Sequence, residues 1–174
     1  MVYCRTINRI SWGESKGRPV TQYVFDARKV VRYRFPTHTN DLIMDRHDAS
    51  AAESFFVILE PDEAPPIHVH PDAEQVFYII EGEGELGVGP GAAETHPLKV
   101  GDFVRTPPGV PHSVRNIGPS RFVYLSIDCF TAGAPAAEPS WDAHVHAMCD
   151  LNGWDFDTVK VGPIDGDDYV RRDG

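Results

Sequence analysis

The chain has 174 residues, 41% of them hydrophobic and 24% charged, which fits one soluble globular domain spanning 1–174. Lys and Arg number 16 against 26 Asp and Glu, a formal charge of −10 that disfavours a phosphate-tracking nucleic-acid binder. No stretch approaches the roughly 20 apolar residues of a membrane helix, and Met1–Arg5 lacks the apolar core of a signal peptide. The expected setting is therefore cytoplasmic, with neither nucleic acid nor membrane as partner. Cys4, Cys129 and Cys149 are too scattered for a disulfide framework or a paired zinc site.

Short runs rich in Val, Ile, Phe and Tyr, punctuated by 15 Gly and 15 Pro, predict an all-β sandwich or barrel. In chain order the expected strands are Thr21–Phe25, Val30–Phe35, Phe55–Leu59, Gln75–Ile80, Glu85–Val88, Phe103–Arg105, Ser113–Asn116 and Arg121–Ile127. Residues 1–39 read as an extension of added strands, about 40–132 as the barrel core, and 133–174 as a C-terminal helix and tail. The apolar residues of the extension, Val24 to Phe35, predict an open strand edge that a second copy would cover, giving a homodimer. Cys129, at the end of an apolar strand, reads as a small core residue.

Ser140 is a suitable N-cap, Trp141, Val145, Met148 and Cys149 recur at helical spacing, and Gly153 offers a stop. This helix is expected to pack on the outside of the barrel, in preference to acting as a lid. On it His144 and His146 diverge by about 200°, so they cannot chelate one ion together. Gly82-Glu83-Gly84-Glu85-Leu86-Gly87 satisfies a dinucleotide fingerprint, but no helix follows to receive a pyrophosphate. It reads as a hairpin connection.

The segment Pro65-Pro66-Ile67-His68-Val69-His70-Pro71-Asp72-Ala73-Glu74-Gln75 carries the first chemical signal. Positions two apart on a strand share a face, so His68 and His70 can address one ion, and imidazole suits zinc, copper, iron and nickel. The second signal runs from Gly101 to Asn116 and contains Pro107-Pro108-Gly109-Val110-Pro111-His112. Together these resemble the paired motifs of the cupin family, G(X)5HXH(X)3–4E(X)6G and G(X)5PXG(X)2H(X)3N. Gly101, Pro107, Gly109, His112 and Asn116 fill the second motif. His68, His70 and Gly82 fill most of the first, with Asp62 where the leading glycine would stand.

The resemblance implies a double-stranded β-helix, a jelly-roll barrel with a metal near its mouth held by two histidines, a carboxylate and a third histidine. Counting back from Gly82 places Gln75 at the carboxylate position. Glu74 would restore the carboxylate only through a bulged strand, because neighbours alternate faces. Register favours Gln75, and Glu74 stays as the alternative. Three neutral imidazoles and an amide would leave a divalent ion its full charge, making it a stronger Lewis acid that is more weakly held.

The implied function is a metal-dependent enzyme acting on a small anionic or enolisable organic molecule. An oxygenase is favoured, with a lyase or isomerase close behind, and a non-catalytic sensor is the competing class. Fe(II) is the favoured ion, with Mn, Ni, Zn or Cu as alternatives. Candidate proton-transfer groups are Glu74 and Tyr78. Candidate pocket residues are Phe56, Phe77, Ile79, Arg105, Tyr124 and Asp128.

Overall fold

The computed structural model describes residues 22–165. Ten strands form two antiparallel sheets: β1 Lys29–Phe35, β2 His38–Met44, β3 Ala52–Leu59, β4 Ala73–Glu81, β5 Glu83–Val88, β6 Glu94–Lys99, β7 Phe103–Thr106, β8 His112–Asn116, β9 Phe122–Phe130 and β10 Lys160–Asp165. The larger sheet runs β10-β1-β2-β3-β9-β4-β7 and the smaller β6-β5-β8. Two helices, α1 Trp141–Asn152 and α2 Phe156–Val159, precede β10. This is the double-stranded β-helix architecture, mostly strand with a short C-terminal helix.

Alternation sorts the strand residues. Phe55, Val57 and Leu59 of β3 face Phe77, Ile79, Phe122 and Tyr124 of their own sheet and Leu86, Leu98 and Val114 of the smaller sheet in one core. Phe56 and Ile58 point the other way, into a separate small cluster with Val123. Burying such side chains contributes about 1.5–3 kcal/mol each, which is what sets strand register here.

The turns follow backbone chemistry. Gly82 has φ +80°, and a Cβ there would lie 2.5 Å from the Arg121 carbonyl oxygen, so only glycine fits between β4 and β5. Asp62, which replaces the expected glycine, holds φ 67°, a left-handed conformation that aspartate tolerates better than most residues.

Seven expected strands are present, with ends shifted by up to three residues. The strand expected over Thr21–Phe25 is not: Thr21 lies outside the described residues, and residues 22–26 carry no strand. Tyr23 and Val24 are largely exposed, and among the described residues no strand pairs with their backbone. β2, β6 and β10 were not expected.

The open edge expected of the N-terminal strands is occupied, because β10 pairs along β1 from Lys29↔Asp165 to Tyr33↔Lys160. The reason for expecting a second copy there is thereby removed. Cys129 is also corrected. It sits on the outer face of β9 and is exposed, while Cys149 is buried.

Helix α1 has the expected caps. The Ser140 hydroxyl accepts from the Ala143 amide at 3.3 Å, and Gly153 ends the helix at φ 70°. The Asp45 carboxylate accepts from the Trp141 amide at 2.9 Å. Ser140→Ala should destabilise the protein by about 1 kcal/mol, read as a lower urea midpoint at unchanged slope.

Its placement differs from expectation. Trp141, Val145 and Cys149 join the interior cluster rather than the outer surface, and the Trp141 ring lies 4.4 Å from inward-facing Phe55. Tyr33 donates its hydroxyl to Asp142 at 2.6 Å, tying the helix to β1. The helix covers the barrel interior because its apolar stripe meets inward-facing side chains left uncovered by the smaller sheet.

Candidate metal centre

The two histidine-bearing segments are joined by their backbones. The His68 amide donates to the His112 carbonyl at 3.0 Å and the His112 amide to the His68 carbonyl at 2.9 Å. The Gly109 amide donates to the His70 carbonyl at 2.8 Å, which draws the Pro107–Gly109 turn over the first motif. Asn116 secures the far end of β8, donating to the Leu59 and Ser120 carbonyls at 2.9 and 2.8 Å.

These contacts bring three imidazoles together. Ring centroids of His68, His70 and His112 stand 4.5–5.6 Å apart, and one nitrogen of each lies within 4.8 Å of the others. Their proton placement is defined by backbone carbonyls, which only accept. The Nδ1 atoms of His68 and His112 face the Pro66 and Val110 carbonyls at 2.8 and 2.9 Å, so Nδ1 carries the proton and Nε2 a lone pair. The buried Nε2 of His70 has no hydrogen-bond partner. Burial pushes His68 down to about 4, His70 down to about 3 and His112 below the ordinary imidazole range. All three are neutral at pH 7.

Gln75 completes the cluster. Its register partner on β9 is Asp128, and its Nε2 donates to Asp128 Oδ1 at 2.6 Å. That bond turns Oε1 toward His112 Nε2, 2.9 Å away. With His112 neutral and protonated on Nδ1, two lone pairs meet at that separation with no proton between them. Adjacent ligands bonded at about 2.0–2.1 Å to one ion stand about 3 Å apart. An orphaned imidazole nitrogen and facing lone pairs are what a cation would satisfy, so the residues fit a divalent transition ion.

The two-motif spacing left Gln75 and Glu74 open, and the strand separates them. Gln75 is buried, while Glu74 points outward and pairs with Arg105. The irregularity in β4 falls between Ile79 and Glu81, too far along to turn Glu74 inward. Arg105 is corrected with it: it belongs to the outer face, not the pocket. Tyr78 shares that face at 47% exposure and is placed away from the histidines. Phe56 faces the outer cluster, and Ile79 is core without reaching the cavity. Alternation places Glu74, Arg105, Tyr78 and Phe56 on outer faces, while Ile79 points inward but lies farther along β4 than the cavity.

Phe77, Tyr124 and Asp128 do line a cavity of about 320 Å³ that contains the three histidines and Gln75. Its other wall comes from α1 through Trp141, His144, Met148 and Asn152. The two histidines of the second pair diverge as expected: His144 lines the cavity, whereas His146 stacks on Phe156 with centroids 3.5 Å apart.

The Nδ1 atom of His144 lies 2.6 Å from Glu138 Oε2, and that contact holds the Glu138 carboxyl below its usual range. Arg46 grips Glu138 from behind at 3.2 Å and Glu53 at 2.6 and 2.8 Å. His144, Glu138, His38 and Asn40 were missed from sequence. His144 stood out only as half of an HxH pair that cannot chelate one ion, no motif marks the other three, and all four reach the cavity through the placement of α1 and β2.

The comparisons agree with this geometry. The Cupin domain family model matches residues 55–128, and those residues include His68, His70, Gln75 and His112. Residues 55–128 thus carry a cupin domain, which together with the fold supports membership of the cupin superfamily. The uncharacterized protein MJ1618 of Methanocaldococcus jannaschii is 36% identical to this chain over 52 residues, 30% of the chain and 39% of that protein. The chain thus matches well under half the length of that curated relative.

A double-stranded β-helix protein from Klebsiella pneumoniae superposes with TM-score 0.54 at 24% identity, covering 64% of this cupin and 94% of that chain. A protein from Thermotoga maritima described as a predicted oxalate decarboxylase gives TM-score 0.54 at 20% identity, over 62% and 99%. At these identities the likeness is one of fold. Among the described residues, no helix is long and apolar enough to cross a membrane.

Proposed function

We propose that this cupin is a metal-dependent enzyme acting on a small organic molecule, with one divalent ion held by His68, His70, His112 and Gln75. The observation that carries the reading is the pair of lone pairs on His112 Nε2 and Gln75 Oε1, facing each other 2.9 Å apart at the base of the cavity. A bound ion would supply Lewis-acid stabilisation of a substrate oxygen as negative charge develops on it.

The chain's own residues do the rest. The four donors carry no formal charge, so the shell cancels none of the cation's attraction for an enolate or phenolate oxygen. Phe77 and Tyr124 form an aromatic floor, and burial raises the Tyr124 phenol well above its usual range, keeping it protonated. Glu74 and Tyr78 face outward, so the proton-accepting role passes to His144. The Glu138 carboxylate holds the Nδ1 proton of that ring and leaves Nε2 to take a proton from substrate.

An oxygenase is the first reading, because a mostly imidazole shell suits non-haem iron. The His144–Glu138 pair favours a lyase or isomerase as the second, since proton transfer alone completes those reactions. Oxygen uptake by the iron-loaded protein, set beside solvent deuterium incorporation, separates the two. No dimer enters this proposal, as the β1 edge is already paired.

The shell itself is tested by a pair of variants. Gln75→Glu adds a formal charge and should tighten divalent-metal binding by about tenfold or more. Without metal it should lower stability, because its carboxylate would face Asp128. Glu74→Gln should leave metal content unchanged. Stripping of metal by Glu74→Gln, with no change in Gln75→Glu, would reverse the ligand assignment.

A further inference from the structure

The cavity has a second set of unsatisfied polar atoms, away from the histidine cluster. Asn40 Oδ1 and Trp141 Nε1 are buried without a hydrogen-bond partner, on side chains only 4% and 1% exposed. Both residues line the cavity. Their common neighbour is Tyr33, the register partner of Asn40 across β1 and β2, whose ring meets the Trp141 ring edge-on at 6.3 Å. The two residues therefore flank Tyr33 on the part of the cavity wall that β2 and α1 supply. Leaving an indole N–H and an amide oxygen unpaired costs about 1–3 kcal/mol each, a cost that a bound polar group reverses.

The charge of the cavity narrows what that group can be. Among the described residues no Lys or Arg lines it, while Asp128 and Glu138 do. A carboxylate entering this cavity would meet two acids and no free cation, because Arg46, 5.9 Å from the Trp141 ring centroid, is already paired with Glu53 and Glu138. A hydroxyl meets both needs, accepting from Trp141 Nε1 and donating to Asn40 Oδ1. The flanking surfaces are the flat faces of Phe55, Phe77, Tyr124 and Trp154, which suit a ring.

We propose that Asn40 and Trp141 form a recognition subsite for the hydroxyl group of an uncharged, ring-sized substrate, whose reacting oxygen lies at the histidine cluster. The subsite rests on reading the cavity as a substrate pocket, and it deepens that reading by naming the ligand class. It also disfavours dicarboxylates, which would need a cationic side chain opposite the metal.

The test uses the full-length protein, ¹⁵N-labelled, both zinc-loaded and metal-free, titrated with phenol, toluene and benzoate. The Trp141 indole N–H signal, assigned by its loss in Trp141→Phe, should move downfield with phenol in both forms and stay in place with toluene. Phenol should bind about tenfold more weakly to Asn40→Leu, the effect of one lost hydrogen bond, with toluene unaffected. Benzoate should not bind the metal-free protein.

Equal binding of phenol and toluene, an unmoved indole signal, a phenol response confined to the zinc-loaded form, or benzoate bound more tightly than phenol without metal would each overturn the subsite. Failure of zinc to bind, with the phenol response intact, removes the metal centre and leaves the subsite standing. The indole response needs no substitution other than for assignment, so the test survives if Asn40→Leu fails to fold.

Discussion

Replacing His112 with alanine should lower affinity for a divalent transition ion by more than about a hundredfold. Loss of an outer-shell hydrogen bond to a ligand already costs about 10–100-fold, and this variant removes a proposed ligand itself. The effect should exceed that of either other histidine, because the His112 Nε2 also faces Gln75 Oε1. Alanine keeps the backbone pairing, so His68 and His70 remain in place and the loss reads as a ligand effect. Metal titration followed by calorimetry, with circular dichroism to check folding, gives the comparison. Retention of wild-type affinity would remove His112 from the shell.

Arg46→Ala should be the most destabilising single substitution, at about 3–5 kcal/mol. The Arg46 side chain is 2% exposed and that of Glu53 0%, and they meet through two hydrogen bonds of 2.6 and 2.8 Å. Burial pushes the Glu53 carboxyl up, and the nearby Asp128 charge adds to it. Without the guanidinium two buried acids would share one apolar region. Arg46 also lies over the Phe130 and Trp141 rings, 5.2 and 5.9 Å from their centroids, and it holds Glu138 beneath His144.

The melting temperature of Arg46→Ala should therefore fall by about 10 °C. Replacing Arg46 and Glu53 together by Met and Leu should restore much of it, because a buried pair exchanged for apolar groups is often neutral. Equal losses in the single and double variants would contradict this account of the pair.

The histidine cluster was legible because His68, His70 and His112 stand in segments that resemble the paired cupin motifs; spacing alone offered only His68 with His70. His68, His70 and His112 lie in segments whose turns demand glycine or proline, and turn chemistry is local. Gln75 against Glu74 was decidable only in part. Alternation shows that one of them points inward, but which one depends on pairing with Asp128 across β9, a contact distant in sequence.

β2 was invisible because its inward and outward faces are both occupied by buried polar residues, His38, Thr39, Asn40 and Asp41, so no apolar period marks it. β6 and β10 carry Pro97, Gly162 and Pro163, which read as turns, yet edge strands tolerate them. The caps of α1 were readable in Ser140 and Gly153. Its docking side was not, since amphipathic spacing states that a stripe is buried without stating against what. That one placement decides whether His144 and Trp141 belong to the site, and it is why their roles had to come from the fold.

X-ray absorption at the zinc edge of the full-length protein, loaded with one equivalent of zinc, tests the metal centre most directly. The geometry predicts a first shell of nitrogen and oxygen at about 2.0–2.1 Å, with the outer-shell scattering of three imidazoles that disappears in part with His112→Ala. A sulfur scatterer at about 2.3 Å, fewer than two imidazoles, or zinc that fails to bind one per chain would contradict the assignment of His68, His70, His112 and Gln75 as a metal site.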